Sequence, residues 1–464
     1  MKLTQKFSRL LALLLLAMAT ITVSSCDDDP EQVPLPIDNI VSIAQGNTDL
    51  ADLVSALSKF PDLVATLQGG EFTVFAPTNA AFDAVLVAVG QNDINDLPDN
   101  VLRAILEYHV IPNATIRSTD LSNGTATTVQ GEPITINVDG GITFNGSATV
   151  VTADVEAENG IVHVIDQVLV MPSVTPIVGT IVAPAYFNRN FTTLVAAVQA
   201  ASPEILTTLL SSEDKTLFAP TNDAFAAAGI TELPARETLD AVLTYHVIGG
   251  RVEAGDIADG SSSATTLGGE IFLSNNGANG IFINGNTQVT GADLQGSNGV
   301  VHVINRTLLP PSQSIADIAI ALSQEDTPEF TQLVAALSKV PDLLAAAQND
   351  GNLTVFAPTD AAFQALYDAV QVADLEELEA AIGTDKLAEV LQHHIVAERV
   401  FSTDLSSGAV PTLNQELTID VVELSITDAN GSDPANLIPS SLNILATNGV
   451  IHVVDKVLIP TGIL

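Results

Sequence analysis

Two short motifs recur together three times along the chain at a spacing of about 140 residues, and this repeat constrains the fold more than any other feature. The first reads Thr-x-Phe-Ala-Pro-Thr and occupies Thr73–Thr78, Thr216–Thr221 and Thr354–Thr359. The second reads Asn-Gly-x-x-His-Val and occupies Asn159–Val164, Asn298–Val303 and Asn448–Val453. Solenoids repeat every 20 to 50 residues or so, whereas a period this long matches a whole domain. Three tandem copies also agree with the prior of ~150 residues per domain for a chain of 464 residues.

The composition bears on what such modules can bind. A hydrophobic fraction of 47% with 15% charged residues supplies three cores and argues against a disordered acidic chain. Lys and Arg total 15 against 55 Asp and Glu, a formal charge of −40. That balance repels phosphate backbones and anionic lipid, which excludes nucleic acid as a partner. Trp is absent and aromatics are 4%, too few to build a stacking platform for sugars or bases.

The first residues read as a targeting segment. Lys2, Lys6 and Arg9 precede an apolar stretch from Leu10 to Val23, which is shorter than a bilayer-spanning helix. Val23-Ser24-Ser25-Cys26 follows and resembles a bacterial lipobox, which implies lipidation of Cys26 after removal of residues 1–25. Cys26 is the sole cysteine, so no internal disulfide can form. Asp27-Asp28-Asp29 resembles the surface-export signals of some bacterial lipoproteins and reads equally well as a solvated spacer. Residues 26–36, with Pro30, Pro34 and Pro36, form a short extended tether. The modules are then expected at 37–172, 173–310 and 311–464.

Each unit opens on an amphipathic helix with the same stripe: Leu50, Leu53, Val54 and Leu57; Phe191, Leu194, Val195 and Val198; Phe330, Leu333, Val334 and Leu337. In the first motif Thr-x-Phe reads as a buried strand, and Pro77, Pro220 and Pro358 end it. Thr78, Thr221 and Thr359 then offer hydroxyls to cap a new helix. A further helix ends at Tyr108, Tyr245 and His393. Asn145-Gly146 and Asn284-Gly285 mark hairpin turns among alternating strands. Each unit is therefore expected to be α+β, with helices early and an antiparallel sheet late.

Taken together, the Thr-x-Phe-Ala-Pro-Thr motif, the Tyr-His pairs Tyr108-His109 and Tyr245-His246, and the Asn-Gly-x-x-His-Val motif resemble the fasciclin domain. The resemblance covers residues 37–464 and implies a β-sheet wedge or sandwich flanked by helices. It also implies a role in cell adhesion or matrix association. In animal members, integrin contact is assigned to the Tyr-His pair and to an Asp ahead of the Asn-Gly. By matching motif positions, the resemblance makes Tyr108, His109, Asp154, Tyr245, His246, Asp293 and His394 candidate contacts. The third unit departs from the pattern, with His393 in place of Tyr and Asn443 in place of Asp.

All seven histidines lie in these motifs. His163, His302 and His452 sit within apolar strands, where a neutral imidazole can bridge backbone groups. His109 and His246 sit at helix C-termini beside loose carbonyls. No Cys, His or carboxylate joins them at ligand spacing, so no metal and no cofactor is expected. Asp428–Asp433 carries the start of a calcium-loop pattern without its spacing or closing Glu. No nucleophile elbow or phosphate loop occurs, so no catalytic residue is assigned. The expected function is that of an outer-membrane lipoprotein exposed at the cell surface. It would engage matrix polysaccharide, a cell-surface protein or like modules on another cell by avidity. The alternatives are a structural lipoprotein facing inward and an enzyme of unrecognised type.

Overall fold

The computed structural model describes residues 38–349, 351–428, 430–431 and 433–463. The signal segment, Cys26 and the tether lie outside the described residues.

Three helices open module 1: Ile40–Gly46, Ala51–Ser58 and Pro61–Gly69. Leu53, Ala56 and Leu57 line one face of the second and are buried, as the stripe requires. Pro61 starts the third helix at its first turn, where its missing N–H costs nothing. Pro203 and Pro341 do the same in modules 2 and 3. The first motif then forms the strands Phe72–Pro77, Lys215–Pro220 and Leu353–Pro358. Directly after them come the helices Asn79–Ala88, Asn222–Ala227 and Asp360–Val370. Thr78, Thr221 and Thr359 cap these helices, each hydroxyl accepting the N–H of Ala81, Ala224 or Ala362 at 3.2, 3.2 and 3.0 Å.

The sheet departs from an all-antiparallel expectation at its centre. The two motif strands lie side by side and run parallel, pairing Phe75 with His163, Phe218 with His302 and Phe356 with His452. All positions of Phe72–Pro77 and Gly160–Ile165 are buried, the pattern of a strand covered on both faces. The approach is close enough that a Cβ on Gly160 would collide with the Phe72 carbonyl. The pairs flanking this centre are antiparallel. In module 1 the strands form one seven-stranded sheet, in module 2 they close into a barrel, and in module 3 they make two four-stranded sheets.

The last long strand before the second motif, Ala148–Ala157, slips register between Thr152 and Val155. Asp154 sits in that slip at φ +58°, and Asp293 occupies the same place in Thr287–Gly296 at φ +58°. Both are β-bulges, which turn a side chain out of the ladder. The modules touch one another. Val174, Ile177, Ala183 and Phe187 continue the apolar cluster of module 1.

Candidate functional site

The helix that precedes the short turn strand ends on a histidine in every module. His109 follows Asp99–Tyr108, His246 follows Arg236–Tyr245 and His394 follows Thr384–His393. Nδ1 of each ring lies 2.7, 2.7 and 2.8 Å from the carbonyl four residues back, at Ile105, Val242 and Val390. Nε2 accepts the backbone N–H of Leu169, Leu308 and Leu458 at 2.8, 3.0 and 2.9 Å. A carbonyl only accepts and an N–H only donates, so each ring is neutral and protonated at Nδ1. Burial pushes all three imidazoles down to about 4.

The strand histidines use the opposite tautomer. Nε2 of His163, His302 and His452 lies 2.9 Å from the carbonyl of Ile116, Val252 or Val400. Nδ1 accepts the N–H of Asp154, Asp293 or Asn443 at 3.3 Å in each module. These rings also stack on Phe75, Phe218 and Phe356 with centroids 5.7, 5.6 and 5.8 Å apart. Burial drives the His452 ring to about 4.

The tyrosines before the cap histidines are likewise engaged. Tyr108 donates to the Pro133 carbonyl at 2.9 Å and Tyr245 to that of Glu270 at 2.8 Å. Each hydroxyl accepts from the hairpin asparagine, Asn145 at 3.0 Å and Asn284 at 3.2 Å. His393, the residue in their place in module 3, is buried with its Nδ1 3.4 Å from the Thr412 hydroxyl.

Tyr108, His109, Tyr245, His246 and His394 are therefore core residues with exposures of 0, 2, 0, 1 and 2%, and none presents a side chain to a partner in this structure. Only Asp154 and Asp293 reach solvent, with side chains 29% and 39% exposed. Asp154 accepts from the Ser118 hydroxyl at 2.5 Å and its N–H at 2.7 Å, and these bonds hold the carboxyl below its usual range. Asp293 accepts from the Ala254 N–H at 2.8 Å. The bulge thus places an aspartate side chain at one corner of each of these modules.

Two structural roles carried no reading in the sequence. Asn159, Asn298 and Asn448, which open the second motif, clamp the start of the first helix in modules 1 and 3 and the turn leading into it in module 2. Each side-chain oxygen accepts the N–H of Ile40, Ile181 or Ile315 at 3.0, 2.9 and 2.9 Å. Each amide nitrogen donates to two carbonyls, such as Leu209 and Ser211 at 2.8 Å from Asn298. Thr73 opens the first motif, donates to Ala114 at 2.8 Å and accepts from Ile116 at 2.9 Å. An asparagine before a motif glycine is the only hint the sequence held.

Among the described residues, no group of three or more His, Cys, Asp and Glu side chains is placed to hold a metal ion. A cavity of ≈ 560 Å³ between modules 2 and 3 includes Arg306 among its lining residues but no imidazole or carboxylate. That lining offers no pair of groups for acid–base work.

Comparison with known proteins agrees with this architecture. The fasciclin domain model matches residues 48–172, 189–310 and 328–460. Human periostin is 27% identical over 425 residues, covering 91% of this chain and 47% of periostin. The pig transforming growth factor-beta-induced protein ig-h3 is 27% identical over 435 residues, covering 91% of this chain and 59% of the relative. Protein sll1483 of Synechocystis is 43% identical over 136 residues, covering 29% of this chain and 73% of that protein. The chain spans about half the length of periostin and ig-h3. With three matches that together take in most of its residues, the chain belongs to the fasciclin family.

Proposed function

We propose that this protein is a lipid-anchored, non-enzymatic binding protein of the cell surface, which engages matrix polysaccharide or cell-surface protein through its three modules together. The observation that carries the reading is the bulge corner. In modules 1 and 2 it holds a solvent-facing carboxylate, and in module 3 the same corner is already pressed against protein, with Asn443 4% exposed. A geometry that makes a protein contact within the chain is suited to making one outside it. The imidazoles of His109, His163, His246, His302, His394 and His452 support the same reading, because both ring nitrogens of each are committed to backbone groups.

Three weak contacts on one tether gain from effective concentration, so the whole chain binds far more tightly than any single module. Like modules on a neighbouring cell are a further class of partner. With a formal charge of −40, such contacts depend on salt or on divalent cations that bridge acidic faces.

The test is deletion of the protein followed by complementation with the parent chain, a Cys26→Ala chain and an Asp154→Ala/Asp293→Ala chain. Surface attachment and aggregation should be restored by the parent alone. Attachment that is unchanged by deletion would contradict the proposal. Protease shaving of intact cells reads orientation separately, because an inward-facing protein survives it.

A further inference from the structure

Asn443 stands where modules 1 and 2 carry Asp154 and Asp293. The backbone is the same at all three, with φ of +57°, +58° and +58° and an N–H bonded to the strand histidine. Only the side chain differs, by an amide in place of an acid.

The amide faces module 2. Its Oδ1 accepts the Ser402 N–H at 2.7 Å, as the acids accept from Ser118 and Ala254. Its Nδ2 donates to the Ser402 hydroxyl at 2.7 Å, the Gly285 carbonyl at 3.1 Å and Oδ1 of Asn286 at 2.9 Å. Asn286 returns bonds to the carbonyls of Leu442 and Asn443 at 3.3 and 3.2 Å. Around this point Asn276 donates to the Thr403 carbonyl at 2.8 Å, and Phe272 lies 5.7 Å from Phe401. Arg399 lies over the Phe272 ring, 4.2 Å from its centroid. The fit is close: a Cβ on Gly285 would stand 2.7 Å from Cγ of Asn443 and 2.8 Å from Cδ1 of Phe401.

A carboxylate fits this place badly. It would keep the Ser402 N–H as a donor but has no N–H to give, so the Gly285 carbonyl would face an oxygen and a charge would be buried between the modules. Modules 1 and 2 meet in another way, through the apolar cluster that Val174, Ile177 and Phe187 continue and through Arg189, which donates to the Asn95 carbonyl at 3.2 Å and lies 3.8 Å from Asp99.

We propose that Asn443 is the specificity residue of a fixed joint, which docks the bulge corner of module 3 on the Asn284-Gly285-Asn286 turn of module 2. The partner such a corner fits is a fasciclin module presenting an Asn-Gly-polar turn, and the acidic corners of modules 1 and 2 reject that partner. Modules 2 and 3 then move as one body, and the acid-to-amide exchange marks which corner is spent on the joint.

The test uses the full chain with Cys26→Ser and spin labels at Thr207→Cys and Ala365→Cys, both exposed helical positions. The parent should give one narrow distance between labels. Asn443→Asp should broaden it, and so should Asn286→Ala, whose side chain bonds only to module 3 and whose loss leaves the core of either module intact. Asp293→Asn, the same exchange at the corner of module 2, should leave it narrow. A distance that stays narrow in both Asn443→Asp and Asn286→Ala overturns the proposal.

Discussion

Leu169 donates its backbone N–H to Nε2 of His109 at 2.8 Å, across 60 residues of chain. The ring's other nitrogen holds the Ile105 carbonyl at 2.7 Å, so one imidazole fastens the end of a helix to the segment that leaves the central sheet. His246 with Leu308 and His394 with Leu458 repeat the arrangement. Replacing His109, His246 or His394 with Ala leaves a buried N–H and a buried carbonyl unpaired. Each such group costs about 1–3 kcal/mol, so each variant should lose roughly 2–6 kcal/mol in the module that carries it. Urea unfolding followed by far-UV circular dichroism measures this.

The same burial makes stability depend on pH in a defined window. His109, His246, His394 and His452 are held at about 4 in the folded chain. Unfolded, an imidazole titrates at about 6.5. Between these values the unfolded state carries more protons, so stability rises with pH. It should be full above about pH 6.5, fall by on the order of 1.4 kcal/mol per pH unit for each such ring as the pH drops toward 4, and level off below. Below that range the depressed carboxyls of Asp154 and Asp240 begin to protonate and remove their own contribution. Urea midpoints measured from neutral pH downward follow the curve, and a flat profile through this window would refute it.

The threonine that ends the first motif is a helix cap in every copy. Thr78→Ala, Thr221→Ala and Thr359→Ala should each cost about 1 kcal/mol, and the corresponding Ser variants should keep most of it. Thermal unfolding of single variants distinguishes the two sets.

The asparagine of the second motif should matter more than its place in a turn suggests. Asn298→Ala strands the Ile181 N–H and the carbonyls of Leu209 and Ser211 in buried surroundings. A loss of at least about 3 kcal/mol is expected, because several groups lose partners at once. Hydrogen exchange of the Ile181 amide reports it locally.

Local features of this fold were legible in the sequence, and long-range ones were not. The stripes of Leu53 and Leu57, the caps at Thr78 and Thr221 and the helix start at Pro61 depend on residues a few positions apart. The parallel pairing of Phe75 with His163 joins strands separated by two helices and several hairpins, and no local pattern reports it. The bond of His109 to a loose carbonyl at its helix end was legible, but its second partner Leu169 and the Pro133 partner of Tyr108 were not, since both arrive from distant parts of the chain. The bulge at Asp154 lacks the glycine that usually announces a positive φ. Asn443 was visible as a departure from the motif, and its cause lay in a turn of the preceding module.

Nitrogen NMR of the imidazoles tests the central claim, that the motif histidines brace the backbone and are not reactive groups. The account predicts the Nδ1–H tautomer for His109, His246 and His394 and the Nε2–H tautomer for His163, His302 and His452. It also predicts that His109, His246, His394 and His452 stay neutral in the folded chain from about pH 7.5 down to about 5. Titration of His109, His246, His394 or His452 near neutral pH while the chain remains folded, or the reverse tautomers, would contradict it.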